Sequence, residues 1–504
     1  MHNSSGSCSP AAPVVLAVLT ALSATPAPRL AAQAAAGAAP GIALGSLATP
    51  RPVAPTPSAI VKGTESPFQG SVPSGEATAE VLQLTLAGAL ERGLRTNLGM
   101  IERGLDARVA ESERRRALSS LLPRLEGSVR HWTGELDLVT FGFQFPGVPQ
   151  VIGPFSYQDA RLSLTQQLLN LQSLRGYQSA RQAERAAQLS LADARDTVLV
   201  AVGGAYYQVV ASAARVDTAR AQLKSSQALD ELAANQVRNG LAPAIDSFRA
   251  TVERQTGEQR VAVAEAALEK DKLTLGRLIG LPPGQRFAIT TPVGYEPWSG
   301  PGQEQALATA AASRSDLKSA EAAVQSAELA RQAAQAERLP SLELNADYGR
   351  VGKNLVKTDG TFTVAAGLAV PVFTGGRIGA AVARAEAVLE RRRSVYADLT
   401  ARVDYEVRSS FLDLEAAQTS VEVARKNIEL ADKTLAQAQD RFANGVTNNV
   451  EAVLAEQELA AAHENYIASL FSHNFAKLAL LRAMGILERG VKQYLGGVAT
   501  SGKE

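Results

Sequence analysis

The sequence predicts a mixed α and β membrane protein built by internal tandem duplication, and three observations predict it. First, the same long helical hairpin is written twice, each copy turning at an Asn-Gly pair, Asn239-Gly240 and Asn444-Gly445. Second, each hairpin is preceded by two segments of about ten residues in which apolar and polar residues alternate, a period of two rather than 3.6. Third, the helices are far longer than a water-soluble sheet of that size needs for cover, which leaves the apolar strand faces with lipid as their partner.

At the N-terminus, Ala11 to Ala24 is a short apolar run, too short to span a bilayer and suited to a signal-peptide core; Ala32-Gln33-Ala34 offers a small-x-small cleavage site. No Lys or Arg precedes the run. The lone cysteine, Cys8, lies before the apolar core, so it is not a lipidation cysteine at a cleavage site. Residues 1–34 are therefore assigned to a signal peptide and 35–80, rich in Pro and Ala without periodicity, to a disordered N-terminus.

Order is expected from about Leu84, with Thr85 capping a helix that runs to about Leu121 and stops at Pro123. Two alternating strands follow. Leu125, Gly127 and Val129 alternate with Glu126, Ser128 and Arg130, and later Leu162, Leu164 and Leu168 alternate with Arg161, Ser163 and Gln167. Between them, Thr133 to Phe155 reads as a loop carrying Phe141, Phe143, Phe145 and Phe155, about a dozen residues longer than its counterpart between Gly349 and Thr361. It suits a pore cover or a receptor surface, and equally an aromatic girdle beside an ordinary exposed loop.

The next helix is expected from about Leu174 to Val237, roughly 65 residues and near 100 Å at 1.5 Å per residue, and a return helix from about 246 to 279. Leu281-Pro282-Pro283-Gly284 opens a linker, 281–302, with room for one short strand at Phe287 to Thr290. The second repeat, 303–485, restates the first, 84–280. A helix at 303 to 338 leads to strands in which Leu342, Leu344, Ala346 and Tyr348 alternate with Glu343, Asn345 and Asp347, and Phe362, Val364 and Leu368 with Thr361, Thr363 and Gly367. The long helix from Arg377 to Phe442 carries a coiled-coil seam at Val421, Ala424, Ile428, Ala431, Leu435, Ala438 and Phe442. The return helix from about Asn449 to Met484 shows an apolar stripe at Ile467, Phe471, Phe475, Leu478 and Leu481, and residues 486–504 form a tail.

Composition excludes several classes of function. Net charge is +1, so nothing points to nucleic acid. One cysteine and four scattered histidines (His2, His131, His463, His473) make no metal site and no disulfide. No phosphate loop and no triad motif is present, so catalytic residues, metal ligands and cofactors are all expected to be none, and the chain is expected not to be an enzyme. A periplasmic adaptor or structural coiled coil would share the long Gly-tipped hairpin but not the duplicated strands.

Taken in order, Leu121-Leu122-Pro123-Arg124-Leu125, Leu339-Pro340-Ser341-Leu342, Leu368-Ala369-Val370-Pro371-Val372-Phe373-Thr374-Gly375-Gly376, Ala205-Tyr206-Tyr207-Gln208-Val209 and Val407-Arg408-Ser409-Ser410-Phe411, together with the tips Arg238-Asn239-Gly240-Leu241 and Arg441-Phe442-Ala443-Asn444-Gly445-Val446, resemble the TolC family of outer-membrane efflux channels over about Leu84 to Gly485. The resemblance implies a homotrimer in the outer membrane of a Gram-negative type bacterium. Each protomer would give four strands to one shared twelve-stranded transmembrane β-barrel, continued by a long periplasmic α-helical coiled-coil barrel. It implies an exit duct of a tripartite efflux or type I secretion system, with a periplasmic adaptor (membrane fusion protein) and an inner-membrane pump as partners, the lipid bilayer as surroundings and no nucleic acid. Residue by residue it places the adaptor-docking tips at Asn239, Gly240, Leu241, Asn444, Gly445 and Val446, and a periplasmic gate at Asp246 and Glu451. Leu454 and Thr447 depart from the family pattern there, and simple helix capping by the glycines and dipole pairing by the two acids explain the same residues without a gate. Alternation in the strands sends Glu126, Arg130, Arg161, Glu343 and Asp347 to the lumen and Leu125, Val129, Leu162, Leu164, Leu344, Val364 and Leu368 to lipid.

Overall fold

The computed structural model describes residues 66–290, 294–354 and 356–494, all within one compact unit, Lys62–Glu504. The proposed signal peptide, most of the 35–80 segment and residues 495–504 of the tail lie outside the described residues.

Order begins earlier than composition suggests. Pro67–Gln69 forms one 3-10 turn, and the Phe68 ring sits so close over Gly99 that a Cβ there would come within 2.4 Å of it. Ser71 bridges to Asn97. Aromatic burial and backbone pairing to the helices hold a stretch that has no periodicity of its own.

Strand β1 (Leu82–Leu84) pairs in parallel with β4 (Phe287–Ile289). The linker therefore contains the second repeat's copy of β1, and the two copies pair with each other. Thr85 caps α1 (Leu86–Thr96), its hydroxyl accepting the Gly88 N–H at 3.1 Å.

The short helices before each pair of strands are interrupted, which corrects the single helices expected at 85–121 and 303–338. Helix α1 hands over to α2 (Leu98–Ser119) at Asn97, and α5 (Gln303–Ser313) to α6 (Ser315–Ala336) at Arg314. Both break residues adopt extended ψ, 131° and 122°. Asn97 is fully buried; its Oδ1 accepts the Gly99 N–H at 2.9 Å and its Nδ2 donates to the Phe68 carbonyl at 2.9 Å. Arg314, also buried, donates to Asp316, Glu406 and the Ala483 carbonyl. Each break is filled from the other side by a left-handed glycine. Gly280 (φ +64°) lies against Thr96 and Gly485 (φ +67°) against the Arg314 backbone, where a Cβ would fall 2.6 and 2.9 Å from its neighbours.

Four strands form one antiparallel sheet in the order β2-β3-β5-β6: β2 (Arg124–Asp137), β3 (Val151–Leu169), β5 (Ser341–Gly352) and β6 (Thr358–Ala369). The first hairpin is longer than the ten residues expected per strand. Its ladder continues to Asp137↔Val151, so the loop expected from Thr133 to Phe155 shrinks to 138–150. Backbone pairing carries these strands past the alternating stretch, since a hairpin ladder needs hydrogen bonds but no apolar face.

Helix α3 (Leu171–Arg238, 68 residues) returns as α4 (Ala244–Leu278), and α7 (Arg377–Ala443, 67 residues) as α8 (Asn449–Ala483). The seam of α7 is inward, with Val421, Ala424, Leu435, Ala438 and Phe442 buried and Ile428 and Ala431 half-buried. One apolar core, around Tyr206, Leu275, Ile279, Leu478, Leu481 and Met484, joins the four helices near β1 and β4; α9 (Leu487–Tyr494) closes it with Leu487 and Val491. A smaller core near the tips is built from Leu229, Ala233, Ala250, Leu435, Ala438, Phe442, Ala452 and Ala455, whose small side chains let the helices approach closely.

Candidate functional site

In an antiparallel sheet, residues directly opposite each other share a face, so register sorts the side chains. Glu126 faces Ser163, Ser128 faces Arg161, Arg130 faces Asp159, Ser163 faces Asp347 and Gln167 faces Glu343. Glu126, Arg130, Arg161, Glu343 and Asp347 therefore stand on one face. Leu125 faces Leu164, Gly127 faces Leu162, Gln166 faces Leu344 and Ala346 faces Val364. The leucines and valines stand on the other, with Val129 at 77% and Val364 at 66% exposure.

Arg161 is the hub of the polar face. Its guanidinium reaches Asp159 at 3.3 Å on its own strand, Asp347 on β5 and the Thr361 hydroxyl on β6 at 3.4 Å. Thr165 donates to Asn345 at 3.1 Å one step further along. These bonds tie three strands across a face that carries no apolar core.

At the helical ends the two tips are built alike. After α3, the Gly240 N–H donates to the Val237 carbonyl and the Leu241 N–H to that of Gln236; after α7, Gly445 donates to Phe442 and Val446 to Arg441. Gly240 and Gly445 take φ of +68° and +70°, the left-handed C-cap, and Leu241 and Val446 are exposed beyond them. Asn448 caps the helix that follows, accepting the Val450 N–H at 3.1 Å.

Asp246 and Glu451 occupy equivalent first turns but different surroundings. Asp246 is buried, with Arg249 at 3.5 Å, and its backbone carbonyl accepts from the Asn449 side chain at 2.5 Å, a bond that ties the two tips together. Glu451 is partly exposed, 3.7 Å from Arg441 on the facing helix. Within the protomer, then, only Glu451 presents its carboxylate at the surface.

A polar centre just above the tips escaped sequence reading. Glu456 is buried and accepts from Ser226 at 2.8 Å; burial pushes its carboxyl up, and neighbouring Glu253 adds to that. Glu253 in turn takes Arg260 at 2.9 Å and Gln457 at 3.2 Å. The available signal was Ser226, a hydroxyl between Ala219 and Leu229 among the mostly apolar buried residues of α3. Among the described residues no group of three or more His, Cys, Asp or Glu side chains is arranged to hold a metal ion.

With this geometry in place, comparison with known proteins is direct. A family model described as outer membrane efflux protein matches residues 94–281 and 306–486, one match per repeat. The pyoverdine export outer membrane protein OpmQ of Pseudomonas putida is 24% identical over 341 residues, 65% of this chain and 70% of that protein; its Pseudomonas aeruginosa counterpart is 24% identical over 324 residues, 61% of this chain and 65% of that one. Among solved structures, the Campylobacter jejuni CmeC outer membrane channel superposes with a TM-score of 0.71 at 15% identity over 89% of this chain and 99% of that one. CusC gives 0.70 at 16% identity over 82% and 99%. These structural likenesses show the fold.

Proposed function

The chain belongs to the outer membrane efflux protein family, as both of its repeats match that family's model, and from this premise we propose that three copies assemble into one duct crossing the outer membrane. The alternative of a periplasmic adaptor ends with that membership. The observation that carries the proposal is the four-stranded sheet, which has one apolar face, one polar face and two unpaired edges, β2 and β6. Inside a bilayer an open edge leaves backbone N–H and C=O groups without partners, so the edges must pair with other strands. Four strands cannot close on themselves and eight leave an interior filled by side chains, whereas twelve, from three protomers, give an open lumen.

In this assembly the Arg161 face lines the lumen and the Leu125 and Val364 face meets lipid. The helical hairpins extend into the periplasm, and the tips Asn239 to Leu241 and Asn444 to Val446 dock an adaptor that connects to an inner-membrane pump. Three Glu451 carboxylates gathered around the threefold axis form the gate. Asp246, buried against α8, supports it from behind. The curated relatives are named for pyoverdine export, which supports a small exported molecule as cargo for this duct too.

The test is mass and conductance together. Protein extracted by detergent should have three times the protomer mass and form ion-conducting pores in planar bilayers. A monomer or dimer that conducts, or a trimer that does not, contradicts the proposal.

A further inference from the structure

Trp132, Phe155 and Tyr157 form an aromatic group on the polar side of the sheet. Trp132 lies opposite Tyr157 and Gly134 opposite Phe155, in step with Arg130 opposite Asp159 and Ser128 opposite Arg161. The three rings therefore stand on the charged face, towards the 138–150 end of the hairpin, rather than among the leucines. The Trp132 ring is 5.2 Å from that of Phe155 and 5.5 Å from that of Tyr157, tilted by 53° and 33°. Gly134 supplies the space: a Cβ there would meet the indole at 2.6 Å. Trp132 and Phe155 nonetheless remain 37% and 42% exposed, so the rings do not use up their own faces. Beside them, Asp159 gives Oδ2 to Arg161, and its Oδ1 is buried.

Covering Gly134 accounts for Trp132 alone, the ring that a Cβ there would meet, whereas Phe155 and Tyr157 extend the aromatic surface around it. Placed on the charged face, with Trp132 and Phe155 more than a third exposed, the rings offer π faces for stacking and for a cation. We propose that Trp132, Phe155 and Tyr157 form a stacking station for planar aromatic groups that carry a positive charge, met by cargo as it leaves the duct. The proposal rests on the polar face being the lumen.

Trp298→Phe leaves Trp132 as the sole tryptophan, and its emission in the reconstituted protein reports on the site. Titration with an acridine cation should quench it saturably. Tyr157→Phe should bind within twofold of the parent, whereas Tyr157→Leu and Phe155→Leu, which keep apolar bulk, should bind at least fivefold more weakly, all three migrating as heat-sensitive assemblies on gels. Quenching that does not saturate, or Leu variants that bind like the parent, overturns the station and leaves the duct standing. Quenching of Trp132 by lipids brominated on their acyl chains would show that this face meets lipid, and overturns the lumen assignment itself.

Discussion

Four glycines at matched positions of the two repeats make a graded test of the architecture. Gly240 and Gly445 at the tips, and Gly280 and Gly485 at the helix breaks, all hold φ between +64° and +70°. Replacing any of them by Ala incurs the left-handed penalty of about 1 to 2 kcal/mol, offset by about 0.4 to 1 kcal/mol because the unfolded chain loses freedom. At the tips nothing lies within 4 Å of the new Cβ, so the net cost is about 0 to 1.6 kcal/mol. At the breaks the Cβ would meet Thr96 at 2.6 Å and the Val72 carbonyl at 2.9 Å, or the Arg314 backbone at 2.9 Å. Backbone cannot swing away, so overpacking adds about 1 to 3 kcal/mol. A membrane assembly of this kind is compared by lifetime, and about 1.4 kcal/mol is tenfold in rate. The half-life of the helical circular dichroism signal at a fixed high temperature should fall at least about fivefold further for Gly280→Ala than for Gly240→Ala, and for Gly485→Ala than for Gly445→Ala. Equal damage at tips and breaks would refute the reasoning. Gly445→Trp meets no neighbour but carries the same left-handed strain as Gly445→Ala, so a Gly445→Trp protein that assembles yet loses export reports docking, and one that fails to assemble reports capping.

Other substitutions read the sheet, the helices and the gate. Leu164→Arg, on the apolar face, should cost about 2 to 4 kcal/mol per protomer and reduce the yield of assembled protein, whereas Arg161→Leu should assemble and change conductance; the reverse pattern would invert the facing. Burial in α3 pushes the Asp196 carboxyl up to about 6, with Arg482 nearby opposing the rise. Its folded value lies above the unfolded one of about 3.9, so the native state is penalised as pH rises from 4 to 6 and the penalty is complete above 6. Asp196→Asn should therefore gain about 3 kcal/mol at pH 7 and only about 0.5 kcal/mol at pH 4, and equal gains at both would rule this out. Glu451→Gln should weaken cation preference and block by multivalent cations in single-channel recording, and unchanged values would leave Glu451 only its contact with Arg441 and the helix dipole.

Much of this fold is local and so can be read in the sequence. The Asn-Gly tips, the seam from Val421 to Phe442 and the strand alternation each depend on neighbours within a turn or two. The breaks at Asn97 and Arg314 do not: no Pro marks either, Gly99 follows only the first, and what holds them is distant in sequence, the Phe68 carbonyl and Gly280 for one, Glu406 and the Ala483 carbonyl for the other. The extra length of β2 and β3 was hidden for a related reason, since Trp132 to Asp137 pairs with 151–157 through its backbone without a periodic apolar face. Asp246 and Glu451 look equivalent in sequence. Packing separates them, because Asn449 reaches across from α8 to the Asp246 backbone while Glu451 stays at the surface beside Arg441.

The central claim is that the polar face of the sheet lines a conducting lumen. In a Cys8→Ser background the chain has no cysteine, so Ser163→Cys and Leu162→Cys place a single thiol on opposite faces of one strand. A charged, water-soluble thiol reagent added to open channels in a planar bilayer should alter the current through Ser163→Cys in steps and leave Leu162→Cys unchanged. Modification of current at Leu162→Cys with none at Ser163→Cys would contradict the account.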